Sequence, residues 1–427
     1  MKTYYYNKLS KKELLLLTQR PAINYDKVFE IVRPILADVK SNGLKAAINY
    51  TENFNEPVVG EFVATEKDYR QAGENLSNEV KTAIENAYEN IYKFHKQQFP
   101  INYTLETIPG VTCKREFRAI ENVGLYIPGG NAVLPSTMLM LGIPTQIAGC
   151  KRVIACSPVK NGIFNNALLY AARLCGINEL YKIGGIQAIG LMAYGAKIVT
   201  KVNKIFGPGN QFVTAAKLLV SIDRDGCAID MPAGPSEVLI IADKNADASF
   251  IAADLLAQAE HGPDSQVILI TNNENFSKKV LAEIECQTEE LPRKDFVKEA
   301  LKKSFIMIVK NIEEAISFSN QYAPEHLILN FENAERYTGK IINAGSVFIG
   351  EFSPESVGDY ASGTNHSLPT SGYTKSFSGV TVESFMKSIS FQSLTINGLK
   401  RIAKTVETLA ETEGLQAHKN AVNIRLR

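Results

Sequence analysis

The sequence predicts an α/β protein with two Rossmann-like, doubly wound domains and small helical extensions at both ends. Two observations support this fold class: from residue 121 onward short apolar runs alternate with helical patterns, and most of these runs end in glycine-rich turns. Repeated β–loop–α units indicate parallel strands joined by right-handed crossovers. With 427 residues, the chain is long enough for more than one domain with its own core.

The composition excludes several classes of protein. Hydrophobic residues make up 45% of the chain and charged residues 21%, as in an ordinary soluble globular protein. The net charge of +1 offers no footprint for nucleic acid or an anionic membrane. No apolar run is long enough to span a bilayer, and the first residues do not resemble a signal peptide, so we expect a cytoplasmic protein. Its six scattered cysteines should then be buried thiols.

The first third of the chain is predicted to be mainly helical. Residues 1–24 form a short N-terminal extension, and helical patterning follows over residues 25–39, 41–53 and about 77–97. The last of these segments is amphipathic and mostly polar on one face. We therefore expect His95 to lie on the surface.

The region from 123 to 232 contains four predicted strands, each followed by a polar or glycine-rich turn and a helix. The strands cover 123–127, 153–155, 180–183 and 202–206, and the helices cover 136–148, 165–174, 187–194 and 211–221. No turn carries the G-x-G-x-x-G pattern of the standard dinucleotide-binding motif. Gly207-Pro-Gly-Asn210 still places backbone N–H groups at a helix start, which suits a phosphate, although it could also be only a tight turn. A ligand crevice is expected where the carboxyl ends of these strands meet.

A second α/β stretch begins at residue 237. Its predicted strands cover 237–242, 266–271, 306–309 and 346–349, and its helices lie at 248–261, within 275–303 and at 311–320. The helix at 248–261 is bounded by N-cap candidates and by Gly262-Pro263. At 3.6 residues per turn, Asp254, Gln258 and His261 share one of its faces. Taken alone, that face could be a solvated helix end.

Three polar clusters elsewhere offer groups for chemistry. Glu325 and His326 place a carboxylate beside an imidazole, an arrangement that can act as a general base near neutral pH, although an isolated pair is also common in surface turns. The run 353–366 offers candidate ligands, and the tail adds Glu-Gly-Leu-Gln-Ala-His at 413–418. The candidate ligands of the second cluster are Glu355, Asp359 and His366.

Four of the five histidines fall in such polar segments. A set of one glutamine, one aspartate and two histidines would suit Zn²⁺, or Mn²⁺ as a harder substitute. Their separation along the chain is too long for spacing alone to bring them together.

Six segments, in order along the chain, resemble the motifs of histidinol dehydrogenases. They are IFGPGNQFV (205–213), DMPAGPSEV (230–238), QAEHGPDSQ (258–266), APEHL (323–327), AGSVFIG (344–350) and the run 353–366. The resemblance extends from about residue 20 to the C-terminus. It implies the last two steps of histidine biosynthesis, in which L-histidinol is oxidised through a bound aldehyde to L-histidine while two NAD⁺ are reduced.

The same resemblance implies a role for specific residues. Glu325 and His326 would be the acid–base pair, and Tyr126, Gln187 and Asn210 would line the NAD site. One zinc ion per subunit would be held by Gln258, His261, Asp359 and His418. The residues that would contact histidinol are Ser236, Gln258, His261, His326, Asp359, Glu413 and His418.

The resemblance also implies a homodimer in which a C-terminal tail, residues 381–427, reaches into the partner's site with Glu413 and His418. The remaining chain is divided into an NAD-binding domain at 123–232 and a domain for metal and substrate at 25–122 plus 233–380. No nucleic-acid or membrane partner is expected.

Two alternatives belong to other functional classes. A zinc-dependent hydrolase would use the same ligand types, with Glu325 and His326 activating water and no dinucleotide bound. A catalytically inactive regulatory homologue would be expected to lack Glu325, His326 or a metal ligand. All of these residues are present.

Overall fold

The computed structural model describes residues 1–20, 25–54, 60–129 and 134–427. Residues 21–24 of the predicted N-terminal extension, and residues 130–131 of the turn after the strand at 123–127, lie outside this description. The strands within it are β1 (Lys2–Tyr5), β2 (Tyr103–Ile108), β3 (Val111–Ala119), β4 (Asn122–Tyr126), β5 (Arg152–Ser157), β6 (Glu179–Lys182), β7 (Lys204–Phe206), β8 (Ala228–Ile229), β9 (Glu237–Ala242), β10 (Gln266–Thr271), β11 (Phe305–Ile308), β12 (His326–Asn330), β13 (Ser346–Ile349) and β14 (Met386–Leu394).

The helices alternate with these strands through most of the chain, as the fold class requires. Within the described residues they are α1 (Lys11–Leu17), α2 (Tyr25–Asn53), α3 (Glu66–Asn75), α4 (Asn78–Lys96), α5 (Pro135–Ala148), α6 (Asn166–Leu174), α7 (Gly185–Tyr194), α8 (Gln211–Ile222), α9 (Ala248–Ala259), α10 (Glu274–Glu290), α11 (Lys294–Lys302), α12 (Ile312–Tyr322), α13 (Glu355–Tyr360), α14 (Ile396–Thr412) and α15 (Gln416–Asn423).

Six parallel strands form the larger sheet, in the order β1-β11-β10-β9-β12-β13. All residues of β9 and β10 are buried, because hydrophobic clusters cover both faces of the sheet. The N-terminal extension adds β1 to one edge, which the sequence analysis did not predict. Strand β12 was not predicted either, because periodicity alone cannot classify a short apolar run of this kind.

Five parallel strands form the second sheet, in the order β6-β5-β4-β7-β8. Helices α2, α3 and α4 pack on the helices of this sheet, with α2 against α7 and α8. The predicted division into domains, with residues 25–122 grouped with 233–380, stays a prediction. The packing of α2 on α7 is close: at Gly190 of α7, a side chain would meet Val39 of α2 at 2.9 Å.

The third sheet is antiparallel and small, in the order β14-β3-β2. The predicted helical tail thus begins with a nine-residue strand, β14, which pairs with β3 along its full length. Helices α14 and α15 follow and pack on each other. Much of this part of the chain is exposed, including Tyr103, Leu105, Phe391 and Leu409.

Several single-residue expectations can be compared with the structure. His95 is fully buried rather than on the surface, because Ile91 and Asn365 supply hydrogen-bond partners for both nitrogens of its ring. All six cysteines are free; Cys156 and Cys175 are buried, but Cys286 is exposed. Among the described residues, no helix combines the length and apolarity needed to cross a membrane.

Candidate active site

The carboxyl edge of the five-stranded sheet faces the amino edge of the six-stranded sheet across a cleft. Gly207 and Pro208, which follow β7, line it from one side, while Ser236, just before β9, and Glu325, just before β12, line it from the other. Strand order changes direction between β4 and β7 in the five-stranded sheet and between β9 and β12 in the six-stranded sheet, so these strands lie at the two points of change. Ligands usually bind beyond the carboxyl edge at such a point. The six-stranded sheet contributes its amino edge instead.

Three carboxylates surround the imidazole of His326, and we call these four side chains the acidic cluster. Nδ1 of His326 lies 3.7 Å from Oε2 of Glu325 and 3.6 Å from Oε1 of Glu355, and Nε2 lies 3.8 Å from Oδ1 of Asp359. His326, Glu325 and Glu355 are buried, and Asp359 is partly buried. Potential ligand atoms of His326, Glu355 and Asp359 all lie within 4.8 Å of one another.

Burial sets the protonation of this cluster. It raises the pKa of Glu325 and of Glu355 well above the ordinary carboxyl range, and the charge of Asp359 adds to both shifts. Burial lowers the pKa of His326 to about 4, although Asp359 opposes this change. The imidazole is therefore neutral at pH 7 and able to accept a proton.

A strained turn delivers Glu325 and His326 to the cluster. Helix α12 ends at Tyr322, and Ala323 adopts a left-handed conformation with φ of 57°, uncommon for a residue other than glycine. Pro324 follows, and His326 begins β12 between β9 and β13. The helix predicted at 311–320 is thus found at Ile312–Tyr322, and Glu325 and His326 follow shortly after its end.

Helix α9 brings Gln258 to the same cluster. Its N-terminus is capped by Asp247, which accepts a hydrogen bond from the N–H of Ser249 at 2.8 Å. The helix ends at Ala259, two residues before the predicted end, so Gln258 is fully buried on its last turn whereas His261 lies exposed in the turn beyond. The partial negative charge at this helix end favours a cation nearby.

The amide of Gln258 has one orientation that satisfies both of its groups. In that orientation its NH₂ donates to Oε1 of Glu355 at 2.6 Å and to Nδ1 of His326 at 3.2 Å. The amide oxygen then faces His261 and lies 3.4 Å from its Nδ1. Glu355 therefore determines which end of Gln258 points toward His261.

These residues fit a zinc ion. Nδ1 of His261 lies 3.2 Å from the carbonyl of Ala257, and a hydrogen bond of this kind leaves Nε2 free as a ligand. Gln258 presents its amide oxygen toward His261, and Asp359 places a carboxylate oxygen 3.8 Å from Nε2 of the neighbouring His326. The predicted ligand His418 is exposed on α15 and is not part of the ligand cluster found in the described residues. The predicted set of four ligands stays a prediction.

Of the candidate ligands in the run 353–366, Glu355 and Asp359 belong to the group of potential metal ligands found in the described residues, whereas His366 does not. Glu355 is buried against Gln258 and His326, although the family resemblance assigns it no role. His366 lies near the cleft, but its two nitrogens face the carbonyl of Asp359 at 2.9 Å and the hydroxyl of Thr137 at 3.1 Å. Both residues stood out in the sequence as part of a polar run with little to bury. Their separate surroundings depend on long-range packing.

The three residues predicted for the NAD site lie at the carboxyl edge of the five-stranded sheet. Tyr126 ends β4, and its hydroxyl accepts a hydrogen bond from the N–H of Gly185 at 3.1 Å. Gln187 is buried in the first turn of α7; its NH₂ donates to Thr51, but its Oε1 has no hydrogen-bond partner among the described residues. Asn210 caps α8 by accepting from two backbone N–H groups.

An unpaired buried amide oxygen is costly, so Oε1 of Gln187 is suited to accept a hydrogen bond from a ligand. The starts of α7 and α8 add partial positive charge at the same edge, which suits the phosphates of a dinucleotide. The residues present thus fit NAD.

A buried ion pair that the sequence analysis missed holds the turn at Gly207. The ammonium of Lys217 pairs with Asp230 and donates to the carbonyl of Gly207 at 2.8 Å, and Asp230 accepts from the N–H of Gly207 at 2.8 Å. Gly207 has φ of 125°, and a Cβ there would lie 2.1 Å from the carbonyl oxygen of Tyr126. Only glycine fits, and no local motif signals its distant partners.

The remaining predicted substrate contacts fall into two groups. Ser236 lines the cleft together with Glu325, as expected of a substrate contact. Glu413 and His418 are exposed in the tail, which packs through α14 against β14.

Comparison with known proteins gives a consistent result. A family model for histidinol dehydrogenase matches residues 18–426. The histidinol dehydrogenase of Photobacterium profundum is 51% identical over 427 residues, covering 100% of this chain and 96% of its own length. The chloroplastic histidinol dehydrogenase of Arabidopsis thaliana is 50% identical, with 100% of this chain and 92% of its length aligned. These matches confirm the resemblance and do not support the zinc hydrolase alternative.

A solved structure extends the similarity to the fold. The crystal structure of histidinol dehydrogenase from Elizabethkingia anophelis matches with a TM-score of 0.95 and 50% sequence identity, covering 100% of this chain and 98% of that one. The predicted fold class is confirmed.

Proposed function

This chain belongs to the histidinol dehydrogenase family, and we propose that it oxidises L-histidinol to L-histidine in two successive steps at the acidic cluster. One water and two NAD⁺ are consumed, and two NADH and three protons are released with the carboxylate product. The observation that carries the proposal is the buried Glu325–His326 pair, which lies beside the cleft that Gly207 and Pro208, at the edge proposed to bind the dinucleotide, also line.

In the first oxidation, His326 accepts the proton of the substrate hydroxyl. The lowered pKa keeps its imidazole neutral and available as a base at pH 7. Each oxidation transfers a hydride from the substrate carbon to NAD⁺, which is the chemistry that the dinucleotide supplies when bound.

In the second stage, Glu325 takes a proton from the water that adds to the aldehyde, and His326 then serves as base for the second oxidation. Because burial raises the pKa of Glu325, its ionised carboxylate is a stronger base than an exposed one. The buried position of both groups also limits loss of the aldehyde to side reactions.

We propose that Gln258, His261 and Asp359 of one subunit hold one zinc ion, with His418 as the fourth ligand. When bound, the metal would anchor and orient the imidazole and amine nitrogens of histidinol. Ser236, His326 and Glu413 complete the proposed substrate contacts. Orientation of Gln258 by Glu355 and of His261 by Ala257 supports this part of the proposal.

NAD⁺ is proposed to bind to residues 123–232 at Tyr126, Gln187 and Asn210, and residues 25–122 plus 233–380 are proposed to form the domain that holds metal and substrate. The active protein is proposed to be a cytoplasmic homodimer in which each tail, residues 381–427, supplies Glu413 and His418 to its partner. The exposure of both side chains and of apolar residues around the tail supports an exchange of this kind.

His326→Asn tests the base assignment. We expect kcat for NADH formation from histidinol to fall at least about 100-fold, because asparagine cannot accept the proton. His95→Asn is the matched control, since His95 is also a buried, hydrogen-bonded imidazole but pairs with Ile91 and Asn365 instead. A near wild-type rate in the His326→Asn protein would show that another group is the base.

A further inference from the structure

The guanidinium of Arg20 uses all five of its N–H donors at a single buried site. Nε and Nη2 donate to the two carboxylate oxygens of Glu237 at 2.7 and 2.6 Å. Nη1 donates to the carbonyls of Thr18 and Tyr322 at 2.9 and 2.6 Å, and Nη2 donates to the carbonyl of Ala323 at 3.1 Å. Lysine cannot reproduce this planar set of bonds.

Glu237, in turn, exchanges hydrogen bonds with Glu325. The N–H of Glu237 donates to Oε2 of Glu325 at 2.9 Å, and the N–H of Glu325 donates to Oε1 of Glu237 at 3.3 Å. Both carboxyl groups are buried, and repulsion by the negative charge of Glu237 adds to the burial that raises the pKa of Glu325. The positive charge of Arg20 lies on the side of Glu237 and offsets this repulsion.

Arg20 also contacts the turn that leads to Glu325. Its guanidinium carbon lies 3.5 Å from the ring centroid of Tyr322, whose hydroxyl donates to Gln266 at 2.7 Å. Arg20 also donates to the carbonyl of Ala323, and Ala323 is the residue with left-handed φ two positions before Glu325. Such a conformation persists only where its surroundings constrain it.

We propose that Arg20 and Glu237 form a clamp that positions the carboxylate of Glu325 for the aldehyde stage of the reaction. The clamp connects the segment after α1 to the start of β9 and to the turn before β12. This inference rests on the proposed function, in which Glu325 activates water and His326 is the base for the first oxidation. Arg20 is thus a positioning residue, because it contacts none of the groups proposed to react, and His326 is held separately by the pairing of β12 with β9 and β13.

Arg20→Lys should separate the two half-reactions. The variant keeps the charge but loses the paired bonds to the Glu237 side chain and the carbonyl contacts, so the turn that carries Glu325 is held less firmly. We expect oxidation of histidinal, supplied directly, to slow at least about 10-fold, while the first hydride transfer from histidinol stays within about threefold of wild type. Single-turnover measurement of NADH formation resolves the first transfer.

Arg152→Lys is the matched control. Arg152 also forms a two-point pair, with Nε and Nη2 at 2.8 and 2.5 Å from the carboxylate of Glu179, but it joins the starts of β5 and β6, at the opposite edge from the NAD turns. It should lower stability without changing the ratio of the two half-reaction rates.

An unchanged ratio of the two half-reaction rates in Arg20→Lys, whether or not both become slower, would overturn the clamp. If Arg20→Lys does not fold, Glu237→Gln is measured by the same criterion, since glutamine keeps an oxygen for the N–H of Glu325 but removes the charge that Arg20 pairs with. A wild-type protein that forms no NADH from histidinol would instead refute the proposed function. An active wild type with no selective loss in either variant refutes only the clamp.

Discussion

At the scale of single residues, composition and neighbours along the chain predicted the kind of chemistry that a side chain can carry out. They predicted less well which distant residues that side chain contacts. Glu325 and His326 could be found because they are adjacent and follow a helix stop, and the structure buries both in one cluster. Arg20 was not picked out from the sequence, and Glu355 was picked out only as a candidate ligand. Their importance lies in contacts to Gln258 and to Glu237, which are far away in sequence.

Asp254 illustrates a residue that sequence and structure both leave outside the proposed chemistry. It shares the helix face with Gln258 but is only 9% exposed, and burial raises its pKa to about 7. In the unfolded chain an aspartate titrates near pH 4. The folded protein therefore keeps this proton over a pH range in which the unfolded chain has lost it, and stability falls as pH rises from about 4 to 7.

Asp254→Asn removes this titration. Relative to wild type, we expect its free energy of unfolding to rise between about pH 4 and 7 and then to level off, with a total change on the order of 2–4 kcal/mol. Urea unfolding at several pH values measures this difference. Asp264→Asn, at an exposed carboxylate beyond the same helix, should give a profile parallel to wild type. A parallel profile for Asp254→Asn as well would contradict the assignment.

At the scale of elements, helices and buried strands were predicted well wherever apolar runs were long or bounded by turn residues. Strands β9 and β10 match their predicted limits because both are continuous apolar runs between turns. Strands β1 and β14 were missed because sheet edges with exposed faces lack that signal. The pairing of one carboxyl edge with one amino edge could not be predicted, since it depends on how the two sheets pack.

That pairing of edges accounts for the electrostatics of the cleft. Helix starts, which attract anions, lie at the predicted NAD turns, whereas the C-terminal end of α9 and three carboxylates lie at the predicted metal and substrate site. If one sheet lined the cleft with its opposite edge, the helix ends and the carboxylates would no longer match the predicted positions of the dinucleotide and the metal.

At the scale of the whole molecule, contacts within one chain do not explain why the tail is so exposed. Helix α15 has no buried residue, and only three residues of α14 are buried. An exchanged tail would cover exposed apolar residues and bring His418 to the partner's Gln258, His261 and Asp359. The sequence predicted the tail only through its resemblance to the family.

Mixed dimers test the exchange. His261→Asn and His418→Asn proteins should each be nearly inactive and lack tightly bound zinc, because each loses a proposed ligand. After subunits are mixed and allowed to exchange, half of the dimers contain one intact site, so roughly a quarter of wild-type activity and zinc content should return. If ligands come from one chain only, no mixing ratio restores either quantity.

The central claim is a four-electron oxidation of histidinol by this protein. The most direct measurement is the amount of NADH formed when a limiting, known amount of L-histidinol is consumed with excess NAD⁺, together with identification of the product. We predict two NADH per histidinol, L-histidine as the product and no accumulation of free aldehyde. One NADH per histidinol with released aldehyde, or no NADH at all, would contradict the account.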